Sequence, residues 1–94
     1  MARTVNKAEL VDEIASKADL TKVAAKDALE ALLETITKAL LLRNKVQITG
    51  FGSFEARKRK ERIGRNPRTG ATVHIEEKWV PVFKPGKRLK DDIS

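Results

Sequence analysis

Ninety-four residues, a formal net charge of +7 and no cysteine leave room for one small domain burying at best about two-thirds of its unfolded surface. They exclude a disulfide scaffold and a thiolate metal site; the longest wholly apolar run, Ala39 to Leu42, is too short for a membrane span or a signal core. Residues 1–45 carry 8 basic and 7 acidic side chains and residues 46–94 carry 12 and 6, so the surplus lies in the second half, a distribution that favours nucleic acid or an anionic membrane over a small acidic substrate.

Asn6 with Glu9 three positions on reads as a capping pair, each side chain reaching back to a free amide of a helix's first turn. The first helix is predicted from about Lys7 to Ala18, burying Leu10 and Ile14. Thr21 offers a second N-cap, and the spacing predicts a helix over about Lys22 to Leu42. On it Ala25, Ala28, Leu29, Leu32, Leu33, Ile36, Ala39 and Leu40 form a stripe roughly 140° wide. That width suits a helix packing both on its neighbour and on a partner subunit, although packing inside one subunit alone also fits. Leu41 falls on the polar face. Arg43 and Asn44 link to the sheet; Asn44 tolerates the left-handed conformation, and which of the two closes the helix stays open.

Val46 to Thr49 alternates as a strand, and Gly50 and Gly52 around Phe51 imply a sharp backbone bend. This GxG has no strand-GxGxxG-helix context and is no phosphate loop. Phe51, Phe54 and Phe83 read as core aromatics. From Arg57 to Arg68 there are seven Lys or Arg among twelve residues, with Glu61 the one acid. Both alternate sets are charged, Arg57, Arg59, Glu61 on one and Lys58, Lys60, Arg62 on the other, so this ribbon cannot pack on a core. It is either a solvated hairpin or an arm whose self-repulsion a phosphate backbone relieves. Ten residues of strand reach ~30 Å, longer than either DNA groove is wide. Asn66-Pro67-Arg68-Thr69-Gly70 is a turn by its own chemistry, with Pro fixing φ and Gly closing the bend.

The chain returns over Ala71 to Lys78 with Val73 and Ile75 alternating against Thr72 and His74. His74, without a partner constellation, reads as a surface strand residue. Trp79 either joins the core or faces the saddle, and its alternation with Pro81 and Phe83 favours the core side. Lys84-Pro85-Gly86-Lys87 opens a short last helix, with Pro near its first turn. Its free amides and the lysines beside them suit a phosphate, or the charges are ordinary solvated ones.

With Gly50, Phe51, Phe54, Arg59, Arg62, Gly64, Asn66, Pro67 and Thr69 in place, the chain resembles the bacterial histone-like HU proteins and the related integration host factor subunits. The resemblance runs from Asn6-Lys7-Ala8-Glu9-Leu10 to Phe83-Lys84-Pro85-Gly86-Lys87. Two departures stand out: the family usually has Gly near Arg43, and Glu76-Glu77-Lys78-Trp79 looks more like one integration host factor subunit. The resemblance implies an α+β fold: a two-helix base, a three-stranded antiparallel sheet with a protruding β-ribbon arm, a short C-terminal helix, and an intertwined dimer. The chain divides accordingly, within one domain over 1–94, into a helical dimerisation base (6–45), sheet and arm (46–83, the arm about 56–78) and C-terminal helix (84–94). Leu29, Leu32, Leu33, Ile36, Leu40, Phe51, Phe54 and Phe83 are the expected dimer core.

The function that follows is a histone-like architectural protein of the cytoplasm and nucleoid. It binds duplex DNA through the minor groove with little sequence specificity, bends it, and prefers bent, nicked or mismatched duplex. Phosphate contacts are expected from Lys7, Arg57, Lys58, Arg59, Lys60, Arg62, Lys84, Gly86, Lys87 and Lys90. Arg65, Asn66, Pro67, Arg68 and Thr69 are expected in the minor groove, with Pro67 as the wedge. The wedge is carried over from minor-groove architectural proteins, among which HU and integration host factor are standard cases. A site-preferring integration host factor type, a heterodimer with a paralogue, and a structured-RNA binder are the alternatives; A-form minor grooves also accept shape-based contacts. One His, no Cys, no Tyr and no carboxylate pair in an apolar setting give no support to an enzyme, and no metal or cofactor is expected.

Overall fold

The computed structural model describes residues 2–94. In chain order these form α1 (Lys7–Ala18), α2 (Lys22–Leu41), β1 (Val46–Ile48), β2 (Gly52–Arg59), β3 (Arg62–Arg65), β4 (Thr72–Ile75), β5 (Lys78–Pro85) and α3 (Lys87–Ile93). The chain falls into two compact units, one ending at Thr37 and one starting at Lys38. The last turn of α2 therefore counts with the sheet.

In the first unit, Asn6 Oδ1 accepts the Glu9 N–H at 2.9 Å, the expected N-cap. The reciprocal half of the capping pair does not form, because the Glu9 carboxylate is held instead by Arg3 at 2.7 Å. α1 stops at Asp19, whose φ of 54° lets the Leu20 N–H turn back to the Ala15 carbonyl at 2.9 Å. Thr21 Oγ1 then accepts the Ala24 N–H at 3.1 Å and starts α2. Of the apolar side chains described, only Ala15, Ala25 and Leu29 are buried. Leu10, expected inside, is 44% exposed, and Leu32 and Leu33 are 47% and 44% exposed. The stripe is there, but one subunit covers only part of it.

In the second unit, the left-handed residue that ends α2, left open between Arg43 and Asn44 by the sequence, is Arg43, with φ 63°. The Arg43 N–H bonds the Leu40 carbonyl at 3.0 Å and the Asn44 N–H reaches the Ala39 carbonyl at 2.8 Å. This is the paired closure of a helix C-terminus that glycine usually makes. Beyond it the strands β1, β2 and β5 form one antiparallel sheet in that order, and β3 and β4 form a separate two-stranded ribbon.

The turn from β1 to β2 is closed by Phe51 N–H to Ile48 O at 2.9 Å, with Gly50 at φ 84° supplying the positive φ that such a turn needs at its third position. Gly52 serves packing: a Cβ there would lie 2.6 Å from the Lys84 carbonyl oxygen and 2.7 Å from the Phe83 ring. Phe54 stands opposite Phe83, and the Phe83 ring lies 4.8 Å from that of Phe54 and 5.4 Å from that of Phe51. Phe54 is half-buried, whereas Phe51 and Phe83 remain 44% and 38% exposed. Pro85 closes β5, so the proline expected in the first turn of α3 precedes the helix, and Gly86 is its N-cap.

Candidate nucleic-acid interface

Alternation along the strands sorts the charges before any ligand is considered. β2 and β5 pair from Gly52 with Pro85 to Arg59 with Lys78. Side chains opposite one another share a face, so Phe54, Ala56 and Lys58 lie with Trp79, Pro81 and Phe83, while Ser53, Glu55, Arg57 and Arg59 lie with Lys78, Val80, Val82 and Lys84. The second face is cationic, with Glu55 its one acid. Lys78 was absent from the expected contacts, although period-two counting back from Lys84 reaches it. Lys58 is on the opposite face from Arg57 and Arg59, beside Trp79.

The expected continuous arm is interrupted. After Arg59 with Lys78 the ladder resumes at Arg62 with Ile75 and runs to Arg65 with Thr72. The register is unchanged, so Lys60 and Glu61 on one side and Glu76 and Glu77 on the other are left unpaired. In that register Glu61 would sit directly across from Glu76, and like charges so placed repel. Two of the three acids there find a cation or imidazole instead: Glu61 lies 3.2 Å from His74 Nε2 and Glu77 3.2 Å from Lys58 Nζ. His74 is an exposed strand residue, as read from the sequence.

The tip is held by Asn66. Its N–H donates to the Ala71 carbonyl at 2.8 Å, its own carbonyl accepts the Gly70 N–H at 2.7 Å, and its side-chain oxygen accepts the Arg68 and Thr69 N–H groups at 2.8 and 3.4 Å. Thr69 Oγ1 accepts the Ala71 N–H at 3.2 Å, and Gly70 has φ 75°. The backbone N–H groups from Asn66 to Ala71 are thus satisfied internally, and Pro67, which has no N–H to satisfy, is exposed at the end.

Several expected phosphate contacts already have partners. Glu55 Oε1 accepts from Arg57 Nε at 2.9 Å and from Lys84 Nζ at 3.1 Å, and Lys7 lies 3.5 Å from Glu30. Hydrogen bonds from Lys84 and then Arg57 hold the Glu55 carboxyl below its usual range. By contrast, Arg59, Lys60, Arg62, Arg65, Arg68, Lys87 and Lys90 have no ion-pair partner among the described residues. The unpaired cations therefore concentrate along the outer arm and on α3. At the start of α3, the Gly86 N–H is already given to Phe51 O at 2.8 Å. The described residues contain no cluster of three metal-ligating side chains, and no helix is long and apolar enough to cross a membrane.

An α+β chain that sends a cationic two-stranded ribbon out from a three-stranded sheet defines the class. The chain belongs to the family described as bacterial DNA-binding protein, whose profile matches residues 5–94. It is 50% identical over 90 residues to DNA-binding protein HU of Clostridium pasteurianum, covering 96% of this chain and 99% of that one. It is 51% identical to DNA-binding protein HU-alpha of Vibrio proteolyticus, covering 96% and 100%. Among solved structures it is similar to the Anabaena HU–DNA cocrystal structure, with a TM-score of 0.89 and 47% identity over 95% of this chain and 97% of that one. HU from Thermotoga maritima follows at a TM-score of 0.67 and 40% identity, covering 95% and 98%.

Proposed function

We infer that this chain is a histone-like architectural protein that binds duplex DNA with little sequence preference, bends it, and works in the nucleoid of a bacterial cytoplasm. The observation that carries this reading is the outer ribbon: Arg62, Arg65 and Arg68 are exposed and unpaired around a self-satisfied turn that presents Pro67. Such a ribbon has charge for phosphates and an apolar ring for a base step, but no array of amides or carboxylates with which to read bases. A minor groove offers little beyond A·T against G·C. Selectivity then comes from how readily the duplex deforms. That the Anabaena relative was crystallised with DNA supports the same reading.

The acting species is a dimer, with the uncovered leucines of α2 and the phenylalanines of the sheet as its interface. Arg59, Lys78, Lys84, Lys87 and Lys90 contact phosphate on the body, while Arg65, Asn66, Pro67, Arg68 and Thr69 enter the minor groove. Arg57 and Lys84 must share their charge with Glu55, and Lys58 with Glu77. A titration of nicked duplex, unbroken duplex and double-stranded RNA of matched length, repeated at several salt concentrations, tests this. Nicked DNA should bind tightest, with log affinity falling linearly in log salt. Equal or tighter binding of the RNA overturns the DNA reading in favour of structured RNA.

A further inference from the structure

Arg43 is an unusual helix stop. A residue with a Cβ in the left-handed region costs roughly 1–2 kcal/mol, and its side chain here is engaged twice. The guanidinium Nη1 donates to the Leu40 and Leu41 carbonyls at 3.1 and 3.3 Å; the Leu40 oxygen also accepts the Arg43 N–H, and the Leu41 oxygen is one that the end of a helix leaves without a backbone partner. The guanidinium also lies over Trp79, with Cζ 4.3 Å from the ring centroid, well inside the range of a cation–π contact. Trp79 is the only tryptophan and is 46% exposed.

The place of Trp79 gives the contact its meaning. It stands opposite Lys58, one rung inside the last pair of the sheet, Arg59 with Lys78. Past that rung two residues on each strand are unpaired before the ribbon resumes. We propose that Arg43 is a positioning residue for the arm: by stacking on Trp79 it pins the arm's root to the end of α2, so that the outer ribbon articulates at the ladder break from a fixed origin. Both ends of this clasp lie in the same compact unit. The inference rests on the DNA-bending reading only for its consequence on binding; the clasp itself stands without it.

The test uses the full chain with Arg43→Gly, since glycine accepts the positive φ and keeps the backbone closure of α2 while removing the guanidinium. Trp79 fluorescence should shift to the red and amide exchange at Arg59, Lys78 and Val80 should quicken, with exchange in α1 unchanged. Affinity for a nicked duplex should fall about two- to five-fold, the worth of an exposed cation–π contact, and Arg43→Lys should recover part of it. Trp79→Leu, which spares the carbonyl bonds of Arg43, should loosen the same rungs. Unchanged emission and root exchange in Arg43→Gly overturn the clasp. Faster root exchange with undiminished affinity for nicked duplex overturns the positioning role. Failure of the unaltered protein to bind either duplex strikes the DNA reading instead, and emission and exchange then still decide the clasp.

Discussion

At the scale of single residues, Pro67 and Glu55 make the clearest claims. Asn66 ties the tip together through its backbone and its side chain, so the turn does not depend on the proline ring. Pro67→Ala should therefore cost a few tenths to ~1 kcal/mol of stability through lost chain stiffness. On DNA the effect should be larger and selective. In HU-type proteins the inserted ring is the known device, and the few kcal/mol of unstacking is offset by contacts along the bent duplex. The variant should keep much of its binding to straight duplex and lose bending and its preference for nicked DNA, read by energy transfer between labelled duplex ends. Equal losses on nicked and straight DNA with an unaltered bend leave Pro67 as turn chemistry alone.

Glu55 acts in the opposite sense, holding Arg57 and Lys84 in place. Its carboxyl is held below the ordinary value of 4.5 by hydrogen bonds from Lys84 and then Arg57. A carboxyl depressed in the folded state stabilises above its unfolded value and ceases to do so as pH falls through the folded one. Unfolding curves of Glu55→Gln and the unaltered protein should therefore differ at neutral pH and converge as the medium is acidified below 4.5. A gap that persists in acid means that the Gln acts through packing and not through charge.

At the scale of elements, what could be read from the chain was whatever neighbours in sequence decide. The bounds of α1, the caps at Asn6 and Thr21, the bend at Gly50 and the turn at Asn66 all rest on contacts within a few residues. What could not be read depends on strands distant in sequence meeting in one register. The break in the arm appears only once Glu61 and Glu76 are set opposite each other, and the contact of the Arg43 guanidinium with Trp79 joins residues far apart in the chain. The same reason hid the ion pairs that occupy Lys58 and Lys84. The role of Gly52 also belongs here. A Cβ at that position meets the Lys84 carbonyl oxygen and the far end of the Phe83 ring, and the first is backbone that cannot swing aside, so Gly52→Ala should cost about 1–3 kcal/mol by overpacking. Urea unfolding measures it, and a loss within experimental error shows that β2 and β5 can separate to admit a methyl group.

At the scale of the whole molecule, the question is what covers the apolar surface that one chain leaves open. Leu32, Leu33, Phe51 and Phe83 are each between 38% and 47% exposed, and Leu41 and Leu42 are 68% and 73% exposed. Only Ala15, Ala25 and Leu29 are buried among the described apolar residues. Burial of a large apolar side chain is worth about 1.5–3 kcal/mol, and three residues of which two are alanines cannot offset the ordering of a chain this long. In the dimer proposed above, a second copy would supply a matching set of leucines and phenylalanines through a two-fold interface. Folding is then coupled to association, and each tenfold rise in protein concentration should add ~1.4 kcal/mol to apparent stability. With a urea dependence typical of small proteins, the midpoint should climb by roughly half to one molar per decade of concentration. Arg43→Gly and Pro67→Ala, which lie away from the leucine stripe, should keep this slope, while Leu33→Ala should lower the midpoint at every concentration. A midpoint that does not move with concentration, together with a monomeric mass in sedimentation, would show that the single subunit is stable as it stands.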